Sequence, residues 1–229
     1  MSAKSQSPCM ELAAPLAHCQ VMNNSLRGLG LIVSGVLCMA SAADTRESRL
    51  DERILTVLVQ DYAGLSDNSL REMEAVSSEL LAPAGIQMHW VHCRGHQPGT
   101  RPELCGAYLE KGLILLRILT TYPGKHPCRE PLGMAAVDNG YASVFVTEIR
   151  RYAEHNGLDA GTLMAYAATH EFGHLLLGRS HSPWGIMQAV WRETAYRDMN
   201  LHWFGFSENQ RRALRDALPP TELRLARLR

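Results

Sequence analysis

The stretch THEFGHLLLGRSHSPWGIM, Thr169–Met187, holds two histidines four apart, a glutamate beside the first, and a third histidine beyond a glycine. On a helix, residues four apart share one face, about 5.4 Å from each other along the axis. His170 and His174 can then bring their imidazoles to one ion at the roughly 2.0–2.1 Å of a zinc–nitrogen bond. Glu171, next to the first ligand, is placed to reach a water held by that ion rather than the ion itself. His-Glu-x-x-His is a signature of this arrangement, in which the metal lowers the pKa of water and the carboxylate serves as general base. The plain alternatives are a chance match and a pair of core histidines satisfied by hydrogen bonds.

The surroundings favour the metal reading. Asp159 can cap a helix running from Ala160 to Leu177, and Gly178 suits a left-handed residue that ends it and lets the chain reverse. His181 follows three residues later as a third candidate ligand, and Met187 ends a Gly-Ile-Met turn. If His181 does not reach the metal, Glu193, Asp198 and His202 are the next candidates.

Upstream, Ile54–Val59 is a β-branched run that reads as a buried strand. Ser66 or Asp67 can cap a helix with Leu70, Met73, Val76, Leu80 and Leu81 at helical spacing, and Pro83 and Gly85 end it. Ile86–Val91 reads as a second strand, so strand, helix and strand form a right-handed parallel crossover. Leu113–Leu119 is a third strand. Leu132–Val137 and Ala142–Val146 are two more, joined by a turn at Asp138-Asn139-Gly140. A short helix is expected over 147–155, ending near Asn156-Gly157, and a capping box at Ser207–Gln210 opens a last helix carrying Leu214 and Leu218.

The first 42 residues have a different character. Arg27 precedes an apolar run from Gly28 to Ala42 that closes on Ala40-Ser41-Ala42, the small-x-small form of a signal-peptidase site. The division expected is an extended or non-native N-terminus over 1–21, a signal peptide over 22–42 starting at Met22, and one domain over 43–229. An exported protein follows, periplasmic or secreted, with no stable membrane association after cleavage. The mature chain keeps Cys93, Cys105 and Cys128, so one disulfide and one odd thiol are expected. Cys93–Cys105 is the preferred pair and Cys105–Cys128 its competitor.

Lys and Arg number 23 and Asp and Glu 23 in 229 residues, with no basic run, so nucleic acid is not an expected partner. His89, His92 and His96 read as surface or loop histidines. Trp184, Trp191, Trp203 and Phe204 read as packing for a small C-terminal helical subdomain.

Taken together, these residues resemble the metzincin clan of zinc metallopeptidases, whose signature is H-E-x-x-H-x-x-G-x-x-H followed by a methionine turn. The resemblance implies a zincin-like α+β (α/β) domain: a mixed five-stranded sheet, an active-site helix and a small C-terminal helical subdomain. It implies zinc held by His170, His174 and His181, Glu171 as catalytic base, and Met187 beneath the metal. It also implies a peptide or protein substrate paired to an edge strand at Leu132-Gly-Met-Ala135. The segment is similar, too, to exported bacterial zincin-like proteins with a His-Ser-Pro-x-Gly-Ile-Met stretch, a likeness that implies no particular activity. Two departures stand out. Three residues rather than two separate His174 from Gly178, which turns the helix exit by about 100° and lifts it about 1.5 Å. Position 189, where some clan members carry a tyrosine, is Ala189, and Tyr196 is out of register. The expectation is therefore an exported zinc endopeptidase, with a zinc-binding protein that cuts nothing as the alternative.

Overall fold

The computed structural model describes residues 53–93, 105, 112–124 and 131–220. The expected leader segments over 1–21 and 22–42, together with His96 and Cys128, lie outside these residues. The chain order is β1 (Arg53–Asp61), α1 (Asp67–Leu81), β2 (Ile86–His92), β3 (Leu113–Leu119), β4 (Gly133–Ala136), β5 (Tyr141–Phe145), α2 (Val146–Asn156), α3 (Ala160–Leu177), α4 (Glu193–Asn200) and α5 (Glu208–Ala217). The strands form one mixed five-stranded sheet in the order β2-β1-β3-β5-β4. β1 pairs in parallel with β2 and β3, and β3 with β5, while β4 runs antiparallel to β5 at the edge.

Side-chain alternation sorts each strand onto two faces. On β1, Leu55, Val57 and Val59 enter the main core, which continues through Ile114, Leu116 and Ile118 of β3 and Ala142 and Val144 of β5. Leu58 points the other way and joins Val91 and Leu113 in a smaller cluster. The helices cover the first face. α1 starts where Ser66 Oγ accepts the Ser69 N–H at 3.2 Å, and buries Leu70, Met73, Val76 and Leu81. The capping box of α5 is present, and Leu214 and Leu218 join the main core. That core also takes in Ala195, Tyr196 and Met199 of α4 and Leu214 of α5.

Among the described residues no helix is long and apolar enough to cross a membrane. Cys93, just past β2, is joined to Cys105 by a disulfide, the pairing preferred from the loop it closes. The expected turn at 138–140 is instead a 3-10 turn over Val137–Asn139, so β4 stops at Ala136 opposite Tyr141.

The register of β4 decides what its free edge offers. Leu132 O accepts the Phe145 N–H at 2.9 Å, so Leu132 turns its backbone toward β5. By the two-residue repeat of an antiparallel ladder, Met134 and Ala136 do the same, and Gly133 and Ala135 present theirs to the open side.

Candidate metal centre

α3 is buried from Gly161 to His174 except where Thr162 meets solvent. It begins where Asp159 Oδ1 accepts the Thr162 N–H at 3.0 Å. Its small residues allow close approach on several sides: a Cβ on Gly161 would stand 2.9 Å from Glu72 of α1, and one on Gly173 would stand 2.3 Å from Met187 Sδ. Met187 is 1% exposed and lies against the helix between the two histidines, as the methionine turn implied.

His170, His174 and His181 converge. His174 Nε2 stands 3.0 Å from His170 Nε2 and 3.2 Å from His181 Nε2, and the ligand nitrogens of all three lie within 4.8 Å of one another. Backbone carbonyls fix the tautomers of the first two. His170 Nδ1 is 2.6 Å from Ile186 O and His174 Nδ1 is 3.0 Å from Gly178 O. A carbonyl only accepts, so each Nδ1 carries the proton and each Nε2 keeps its lone pair. Two lone pairs facing at 3.0 Å repel unless something cationic lies between them. Nitrogens bound at zinc–nitrogen lengths on a tetrahedral ion would sit about 3.4 Å apart, so these positions and this all-imidazole donor set would fit a zinc ion. Burial holds the His170 pKa down at about 4, and it lowers that of His181 as well. Neutral imidazole is the ligating form.

The extra residue between His174 and Gly178 is taken up inside the helix. α3 continues through Leu177, and Gly178 donates its N–H to His174 O at 2.9 Å. The sequence suggested a left-handed residue here, but Gly178 adopts φ +93, ψ −174. That region is essentially restricted to glycine. The left-handed form would curl the chain back on itself, whereas this one extends it and turns the Gly178 carbonyl to His174 Nδ1. One residue thus ends the helix, orients the second histidine and sends the chain toward His181.

The carboxyl of Glu171 is buried among β4 and α3. Burial pushes its pKa up to about 8, opposed by a hydrogen bond accepted from the Ala135 backbone. A Cβ on Gly133 would come within 2.8 Å of both Cγ and Oε1 of Glu171. The histidines and Glu171 line a groove of about 490 Å³ walled on one side by β4 and on the other by the segment around Trp191. Trp191 Nε1 donates to Ile186 O at 3.1 Å, the same carbonyl that orients His170.

Of the fallback ligands, Glu193, Asp198 and His202 are not in the metal-competent group found among the described residues. Ala189 and Tyr196 both line the groove. The tryptophans divide differently from expectation. Trp191 lines the groove and packs on Phe204, while Trp184 and Trp203 are 73% and 77% exposed and pack no subdomain. His89 is exposed as expected, and His92 pairs with Glu74 of α1 at 2.8 Å. Gly173, the Ile186 carbonyl, Arg179 and the contact of Gly133 with Glu171 carried no sequence signal, because each acts through a contact distant in the chain.

No family model matches this chain, and no curated protein matches it. Solved structures similar to this chain include the following two. One is a zinc-dependent peptidase from Methanocorpusculum labreanum (strain Z), 17% identical with a TM-score of 0.43, covering 70% of this chain and 99% of that one. The other is archaemetzincin from Methanopyrus kandleri, 16% identical with a TM-score of 0.43, covering 74% of this chain and 97% of that one.

Proposed function

We propose that the chain is an exported zinc-dependent endopeptidase in which His170, His174 and His181 hold the ion and Glu171 is the general base. The observation that carries this reading is the meeting of three imidazole nitrogens beside a buried carboxyl in a groove walled by a free strand edge. Zinc, when bound, supplies Lewis acidity that polarises a carbonyl and makes water a nucleophile near neutral pH. Gly133 and the Ala135 carbonyl offer outward backbone groups to an extended peptide by strand addition. This mode of binding reads main chain rather than a chain end, which favours internal bonds. Glu171 receives a proton at a carboxylate oxygen and delivers it to the leaving amine. Ile186 and Gly178 carbonyls keep the two helix histidines oriented, the outer support that ligating imidazoles usually have.

Export is supported by the apolar segment ending at Ala42 and by the Cys93–Cys105 disulfide, which suits an oxidising compartment. Sequencing the N-terminus of the mature protein tests it, with Ala43 expected first.

The activity is tested with zinc-loaded wild type and Glu171→Gln at equal metal content on a diverse peptide library. We expect cleavage by wild type and a loss of about 100-fold or more in the variant. Equal activity of the two would remove Glu171 from the chemistry. No cleavage by either leaves a zinc-binding protein that cuts nothing.

A further inference from the structure

Arg179 is the one Lys or Arg among the described residues that line the groove. It stands two residues before His181, and one terminal nitrogen of its guanidinium donates to Asp138 Oδ2 in the turn that follows β4. The pair therefore spans from the loop carrying the third histidine to the end of the strand that walls the groove. Its side chains are 66% and 80% exposed. An ion pair this exposed is weak, so its partner exchanges readily. A guanidinium has five N–H donors in a planar fork suited to carboxylates, and the bond to Asp138 uses only one nitrogen.

We propose that Arg179 recognises a carboxylate of the substrate, making the groove selective for acidic peptides. This inference rests on the peptidase reading above and deepens it. Position follows from β4. Glu171 lies against Gly133 and Ala135, and the three steps from Ala135 to Asp138 span at most about 10 Å. An extended peptide alongside covers that distance in two or three residues. The carboxylate therefore belongs two or three residues from the bond that is cut. The source of the carboxylate is either a Glu or Asp side chain or the peptide's own C-terminus, and both present the same group to Arg179.

The test uses zinc-loaded full-length protein and peptides matched in pairs. One series places Glu or Gln at each position within three residues of the cleaved bond, and another ends in a free acid or an amide. In wild type, the acidic member at the matching position is expected to be cleaved about tenfold better in kcat/KM, mainly through KM. The preference shrinks as salt is raised. Arg179→Gln is expected to abolish the ratio between members, and Arg179→Lys to restore part of it. An effect confined to the Glu/Gln series assigns the side chain, and one confined to the acid/amide series assigns the terminus. Equal cleavage of both members by wild type, or a ratio unchanged in Arg179→Gln, overturns the proposal while leaving the peptidase reading intact. If wild type cleaves nothing, that reading fails, and calorimetric binding of the same peptides decides the proposal. A Kd ratio lost in Arg179→Gln supports it, and equal Kd values overturn it.

Discussion

Gly133 and Glu171 are in contact across the groove: the edge strand passes so close to the carboxyl that a Cβ at 133 would stand 2.8 Å from Cγ and Oε1 and 3.1 Å from Ser143 O. Glu171 is nearly enclosed, at 7% exposure, and Ser143 O belongs to the β5 backbone, so neither neighbour yields freely. Gly133→Ala is therefore expected to push the carboxyl off its place rather than unfold the sheet. A displacement of about 1 Å costs a catalytic group up to roughly 100-fold in rate. The expected result is a loss of that order in kcat with zinc stoichiometry unchanged, read by steady-state kinetics and metal analysis. Wild-type kcat in the variant would show that Glu171 is not positioned by this contact.

A second contact of the same kind sits under the histidines. Gly173→Ala adds a Cβ that meets Met187 Sδ at 2.3 Å and Phe206 Cε1 at 3.3 Å. Two effects oppose each other. Alanine is a better helix former than glycine by about 1 kcal/mol, while overpacking a closed core costs about 1–3 kcal/mol. Met187 and Phe206 are 1% and 3% exposed, so the core has little room to yield and the second effect wins. We expect a net loss of up to about 2 kcal/mol in urea denaturation, and part of it recovered when Met187→Ala is added.

How much of this was legible depends on how far a signal has to travel along the chain. The bounds of α3 could be read at both ends, since Asp159 and Gly178 act on residues within one turn of themselves. β3 matched its apolar run from Leu113 to Leu119. The convergence of His170 and His174 followed from helical spacing alone. The return of His181 did not, because it depends on the φ and ψ of Gly178, and several backbone paths suit a glycine there. Nor did the contact of Gly133 with Glu171, which exists only once β4 has paired with β5 in one register. α4 was missed because its eight residues, Glu193–Asn200, start without a side-chain cap.

The pair between His92 at the end of β2 and Glu74 on α1 gives the fold a pH dependence of its own. Hydrogen bonding to Glu74 raises the His92 pKa above 6.5, against the opposing effect of burial. A raised folded-state value means that the contribution is fully present below the unfolded-state pKa, about 6.5. It is lost as pH rises through the folded-state value. His92 is 34% exposed, and the screened pair is expected to contribute less than about 1 kcal/mol. A double-mutant cycle with His92→Gln and Glu74→Gln should show coupling at pH 5.5 that has vanished by pH 9. Coupling that grows with pH would contradict the assignment.

Metal and fold are coupled at His181, which alone of the three ligand candidates lies outside α3. Without a cation, the Nε2 lone pairs of His170 and His174 face each other at 3.0 Å, a repulsion within the folded state alone. A ligand that binds the folded chain at about 1,000 times its Kd stabilises it by about 4 kcal/mol. We therefore expect zinc to raise Tm and a chelator to reverse the shift. His181→Ala removes one of three nitrogens but leaves the helix pair in place, so zinc is expected to bind more weakly and the Tm shift to shrink. His170→Ala breaks the pair itself and leaves the Ile186 carbonyl bonded to Trp191 alone, so it should abolish the shift. Differential scanning fluorimetry against a zinc titration separates the two variants. An undiminished zinc affinity in His181→Ala would take His181 out of the ligand set.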